Sequence, residues 1–117
     1  MSDHDAITMV RRAHHSDTRE PTSDMLKHVD VLVIDLQDIG ARIYTYIYTM
    51  ANCLRACAKH GVDVIVCDRP NPIGGVEVEG PMPVDGYESF VGQCPMPMRH
   101  GHDHRRARSL LQRSVCD

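Results

Sequence analysis

Apolar and polar positions change their period three times along the chain. Val31-Leu32-Val33-Ile34 is a continuous apolar run between Asp30 and Asp35, and a run apolar on both faces suits a strand buried in a parallel sheet. Ile43, Ile47, Met50, Ala51, Leu54 and Ala58 then recur at helical spacing, with Asn52, Arg55 and Lys59 on the other side. Gly61 stands where a left-handed C-terminal cap is wanted. Val62-Asp63-Val64-Ile65-Val66-Cys67 repeats the strand signature and ends at Asp68. Strand, helix and strand in about 38 residues is the size of one βαβ unit. The pattern therefore predicts an α/β fold, a partial Rossmann-like parallel sheet.

Upstream, Pro21-Thr22-Ser23-Asp24 before Met25-Leu26 reads as a helix start. Downstream, Pro70, Pro72, Gly74, Gly75, Gly80, Pro81 and Pro83 mark a long Pro/Gly-rich loop region. Short extended pieces are expected within it at 76–79 and 89–92.

Composition narrows the class. A chain of 117 residues with 42% apolar positions fits one domain and excludes wholesale disorder. A net charge of −3 gives no electrostatic footprint for nucleic acid. No apolar run approaches the roughly 20 residues of a membrane span, and the first 25 residues show no secretory signal. Five cysteines do not read as a disulfide framework. Cys53 and Cys57, one helical turn apart, are metal ligands or small core thiols; without further paired His or Cys motifs the core reading is preferred.

Ligands of open α/β sheets bind beyond the carboxyl ends of the strands. The first strand runs into Asp35-Leu36-Gln37-Asp38-Ile39-Gly40-Ala41-Arg42, the second into Asp68-Arg69-Pro70-Asn71. Parallel neighbours would bring Asp35, Gln37, Asp38, Arg42, Asp68, Arg69 and Asn71 to one rim. Carboxylates, amides and guanidinium groups together suit a polyhydroxylated ligand; the alternative is that the acids cap turns and the arginines neutralise them. No phosphate fingerprint occurs, so a nucleotide is disfavoured. Glu77 and Glu79 alternate on one side of an extended piece. Glu77 suits a solvated face, whereas Glu79, before Gly80-Pro81, sits at a turn that would aim it inward. Tyr44, Tyr46 and Tyr48 alternate where the helix should begin, for packing or for sugar stacking.

The stretches Val29 to Tyr46, Asp68-Arg69-Pro70-Asn71-Pro72-Ile73-Gly74-Gly75, Val78-Glu79-Gly80-Pro81 and Pro97-Met98-Arg99-His100-Gly101 resemble the DUF1343 family. Its characterised members are exo-β-N-acetylmuramidases of the NamZ type. The resemblance covers about 18–101, as a fragment of a Rossmann-like domain, with 1–17 and 102–117 as tails outside the family pattern. It implies removal of terminal N-acetylmuramic acid from peptidoglycan fragments or muropeptides without a cofactor or metal. It also implies a carboxyl-terminal domain in the parent protein. Peptidoglycan suits a secreted or periplasmic setting for that parent, but recycling also brings its fragments inside the cell, so the localisation stays open.

Glycoside hydrolysis uses paired carboxyl groups. On the resemblance, Glu79 is the acid/base and Asp35 or Asp38 its partner. Gln37, Arg42, Asp68, Arg69, Asn71, Arg99 and His100 would hold the lactyl carboxylate and hydroxyls of the sugar. Two rival readings are an inactive truncated product and a non-catalytic muropeptide-binding module. Solubility and cooperative melting of the expressed chain distinguish those two.

After Gly101 the family continues Met-Thr-Ile-Gly-Glu-Leu-Ala, but this chain reads His102-Asp103-His104-Arg105-Arg106-Ala107-Arg108. The codons C ATG ACC ATC GGC GAG CTC GC, read one base early, translate into this chain's residues throughout. A reading-frame change at about Gly101 would account for His102, His104 and the basic tail, and the alternation of His100, His102 and His104 would then have no selected function. Sequencing the coding DNA tests this: an open family-like frame is expected one base over, and its absence would refute the shift.

Overall fold

The computed structural model describes residues 19–101; the tails expected at 1–17 and 102–117, and the proposed frame change, lie outside the described residues. The chain divides into two compact units, one built from 19–35 with 49–67 and the other from 36–48 with 68–101.

The first unit holds α1 (Ser23–Leu26), β1 (Val31–Ile34), most of α2 (Tyr46–His60) and β2 (Asp63–Val66). The two strands pair in parallel, Val31 opposite Asp63 and Ile34 opposite Val66, and the Cys67 N–H donates to the Ile34 carbonyl at 2.9 Å. Strand, helix and parallel strand thus form the expected βαβ unit. The helix ends as its sequence demands. Gly61 takes φ +69°, and the Val62 N–H donates back to the Cys57 carbonyl at 3.0 Å, the six-to-one closure of a Schellman cap.

The strands depart from the pattern in one respect. They are not buried on both faces: β1 alternates exposed and buried, with Leu32 and Ile34 covered but Val31 and Val33 40% and 46% exposed. Ile65, directly opposite Val33, is 54% exposed. Parallel sheets normally carry cover on each face, and among the described residues one face of this pair has none.

The helix departs too. Ile43 is exposed and lies before α2, because the backbone at 40–42 is hydrogen-bonded to 98–100 and then turns, Tyr44 N–H to Ala41 carbonyl, before a helix can start. Leu54 is only half-buried and Ala58 exposed. Asn52, expected on the polar side, is buried; its amide donates to the Arg19 carbonyl at 2.9 Å and accepts from Arg55 at 2.6 Å. Met50, Ala51, Cys53, Ala56 and Cys57 are buried around it.

Cys53 and Cys57 are free core thiols, and no group of three or more potential metal ligands exists among the described residues. Burial pushes both thiols up, Cys53 to about 12. A thiol that ionises later in the folded state than in the unfolded one contributes stability that is lost as pH rises. The melting temperature is therefore expected to fall between pH 9 and 12 more steeply for the native chain than for Cys53→Ala. An equal slope in the two proteins would contradict this.

Candidate functional site

The second unit is organised by a short extended segment, Met98 to His100, hydrogen-bonded on both sides. On one side the Arg42 N–H donates to the Met98 carbonyl at 2.8 Å and the His100 N–H to the Gly40 carbonyl at 2.9 Å. On the other, Arg99 and Glu79 exchange both backbone bonds, at 2.8 and 3.1 Å. Residues paired directly across antiparallel strands point to the same face, as do residues two apart. Arg99, Glu79 and Glu77 therefore share a face, and Arg99 Nη1 lies 3.0 Å from Glu77 and 3.3 Å from Glu79. Its Nη2 donates to the Ile73 carbonyl at 2.7 Å. The two glutamates remain about two-thirds exposed, so Glu79 is not aimed inward: the turn at Gly80 leaves its side chain on the solvent side with Arg99. Glu77, expected only to be solvated, is the second partner of that arginine. The 89–92 stretch is not extended either, since the Gly92 N–H closes a turn on the Ser89 carbonyl at 3.0 Å.

The opposite face of the segment is closed. His100 is fully buried and its Nε2 lies 3.5 Å from Oδ2 of Asp38, itself buried. The same Asp38 oxygen accepts from the Gly40 N–H at 3.3 Å. Asn71 binds the His100 carbonyl through its amide nitrogen and accepts the Ile73 N–H, both at 3.1 Å. Gly40 is required here twice over. Its φ is +76°, and a Cβ would run into the Asn71 amide.

Six of the sequence-derived candidates thus meet in one unit: Asp38, Arg42, Asn71, Glu79, Arg99 and His100. Gln37 sits beside them, donating to the Asp38 carbonyl at 2.7 Å. Asp68 and Arg69 are exposed where the loop begins, and Asp35 is an exposed residue of the first unit. Arg42 anchors two loops, its Nη1 donating to the Met96 carbonyl at 2.8 Å and to the Pro81 carbonyl at 3.0 Å.

Tyr48 is buried, its ring 6.0 Å from Phe90, while Tyr44 and Tyr46 meet edge-on at 4.9 Å. Burial raises both the Tyr44 and Tyr48 phenols, helped at Tyr44 by Tyr46, so these rings pack and do not ionise near neutral pH. A feature the sequence pattern did not reveal is an open groove of about 340 Å³ lined by Arg42, Ile43, Val84, Tyr87 and Val91 among others. Its only signal was apolar residues left among Pro and Gly.

The family model for the N-terminal part of the exo-beta-N-acetylmuramidase NamZ matches residues 3–106. The chain belongs to this family. Peptidoglycan beta-N-acetylmuramidase NamZ of Bacillus subtilis is 52% identical over 84 residues, covering 72% of this chain and 20% of that protein. The crystal structure of a DUF1343 family protein from Bacteroides fragilis superposes with a TM-score of 0.71 at 50% identity, covering 77% of this chain and 23% of that one. A second DUF1343 protein of the same organism gives 0.66 at 39% identity, covering 72% of this chain and 24% of its own. This member of the NamZ N-terminal family spans about a fifth of the length of the curated relative it matches.

Gly40→Ala is expected to destabilise more than Gly61→Ala. Both positions are left-handed, which costs about 1–2 kcal/mol for a residue with a Cβ, but nothing lies within 4 Å of a Cβ at 61. At 40 the displaced Asn71 loses two hydrogen bonds, worth about 1 kcal/mol each. Urea denaturation of the two variants measures the difference, and equal losses would contradict the packing described.

Proposed function

We propose that the chain is part of a glycoside hydrolase that releases terminal N-acetylmuramic acid from peptidoglycan fragments, and that its second unit supplies one wall of the sugar site. Likeness to the B. subtilis N-acetylmuramidase supports the reaction class. The observation that carries the placement is the exposed Glu77–Arg99–Glu79 cluster, held on paired backbone in the middle of the family's motifs.

Protonation of a glycosidic oxygen needs a carboxyl group that the substrate can reach. Glu79 meets that condition and is the acid/base in this reading. Asp38 is sealed beneath the segment, where it acts through His100 and the Gly40 turn instead of on the sugar. Arg99 offers the charge that steadies a carboxylate, and Gln37, Asp68 and Arg69 remain the polar groups for sugar hydroxyls. Asn71, its amide engaged by the His100 carbonyl and the Ile73 N–H, braces the loop instead. Asp35, assigned to the first unit, takes no role in this cluster. The carboxyl-terminal domain that the longer relatives imply completes the parent enzyme.

A second reading has a specific observation in its favour. Arg99 grips both glutamates through one nitrogen, so the Glu79 carboxylate is already engaged by an ion pair and would have to leave it to meet a glycosidic oxygen. On that reading Glu79 positions Arg99, and the chain by itself is a muropeptide-binding module without turnover.

Replacing the residue aligned with Glu79 by Gln in the full-length B. subtilis relative separates the two. Loss of N-acetylmuramic acid release by about 10²–10⁴-fold is expected for an acid/base. A change below tenfold, with a weakened KM, would reassign Glu79 to positioning.

A further inference from the structure

The groove beside Arg42 has the features of a site for one particular substituent. Arg42 reaches its wall already fixed: Nη1 is tied to the Met96 and Pro81 carbonyls at 2.8 and 3.0 Å, while Nε and Nη2 form no hydrogen bond with any described residue. One guanidinium nitrogen is thus spent on orientation, and the remaining edge is a two-donor fork. Such a fork fits a carboxylate through two parallel hydrogen bonds. Pre-fixing the side chain removes much of the ordering cost that binding through an arginine otherwise carries.

The rest of the lining is apolar, with one polar group. Ile43, Val84 and Tyr87 are 64%, 68% and 80% exposed, Val91 is also exposed, and Ser89 adds a hydroxyl. Large apolar side chains gathered round a single fixed cation suit a ligand with a small hydrocarbon part, a negative charge and a ring face. The volume of about 340 Å³ lies at the lower end of small-ligand pockets. Phosphate or sulfate would use the charge but leave the apolar walls unmatched, and a neutral sugar would leave the arginine unmatched.

We propose that this groove is the subsite for the lactyl ether of N-acetylmuramic acid, Arg42 receiving its carboxylate, Ile43, Val84 and Val91 its methyl group, and Tyr87 the face of the pyranose ring. The inference rests on the muramidase reading above and adds to it the structural basis of choice between N-acetylmuramic acid and N-acetylglucosamine, which differ by that ether alone.

Two measurements test it. Calorimetric titration of the 117-residue chain with each free sugar should show at least tenfold tighter binding of N-acetylmuramic acid. Arg42→Met should erase the preference, and Val84→Trp, which fills the groove away from the carbonyl ties of Arg42, should weaken N-acetylmuramic acid at least tenfold. Equal affinity for both sugars, no saturable binding, or a preference that survives Arg42→Met would overturn the proposal. In the full-length B. subtilis relative, Met at the residue aligned with Arg42 should raise KM for an N-acetylmuraminide at least tenfold more than it lowers kcat. An unchanged KM overturns the subsite alone. A wild-type relative that releases no N-acetylmuramic acid would instead overturn the function on which the subsite rests.

Discussion

The double-sided backbone pairing of Met98 to His100 is the constraint from which the second unit takes its order. An extended segment bonded on one edge fixes register; bonded on both, it also fixes which side chains can meet. Here it sends Arg99 to the face of Glu77 and Glu79 and His100 to the face of Asp38. A slip of one residue would exchange a guanidinium for an imidazole in the closed interior. The buried side chain would then be a permanent cation facing a single carboxylate, a far more costly arrangement than a group able to shed its charge.

This alternation separates two kinds of work. The closed face, with Asp38, His100 and the Asn71 amide, braces the loops through short-range bonds. The open face presents charge to solvent. Residues of one sequence motif therefore divide by parity, neighbours in the chain serving different ends. Arg42 bridges the two kinds of work, since one nitrogen braces the 81 and 96 loops while the group as a whole lines a groove.

The βαβ unit was legible because its signals are local: β-branched runs bounded by aspartates, and a glycine at the helix end. What periodicity could not supply was any feature set by distant partners. Ile43 fits the helical period, yet the Arg42 N–H has a competing acceptor in Met98, and the helix starts later. Asn52 looks solvent-facing until the Arg19 carbonyl and Arg55 satisfy its amide. The runs at 31–34 and 62–67 read as doubly buried because their composition answers to a covered sheet, and Val31, Val33 and Ile65 stay exposed where that cover is absent among the described residues. Among the site residues, the gathering of Asp38, Arg42 and Asn71 was expected from their place beyond the two strand ends, and that of Arg99 and His100 only from the family resemblance. The solvent-facing seat of Glu79, by contrast, came from its pairing with Arg99. The groove had no periodic signature at all, because its walls come from separate loop segments.

The pairing of Ala41 with Arg99 spans about sixty residues of chain, which places it among the non-local contacts that form slowly. During synthesis the first βαβ unit has all its residues well before Arg99 leaves the ribosome. The loop from Asp68 onward must then wait, with its apolar side chains unprotected, for the last strand to arrive. Premature termination between Asp68 and His100 would yield a nascent chain with an intact first unit and no means of assembling the second.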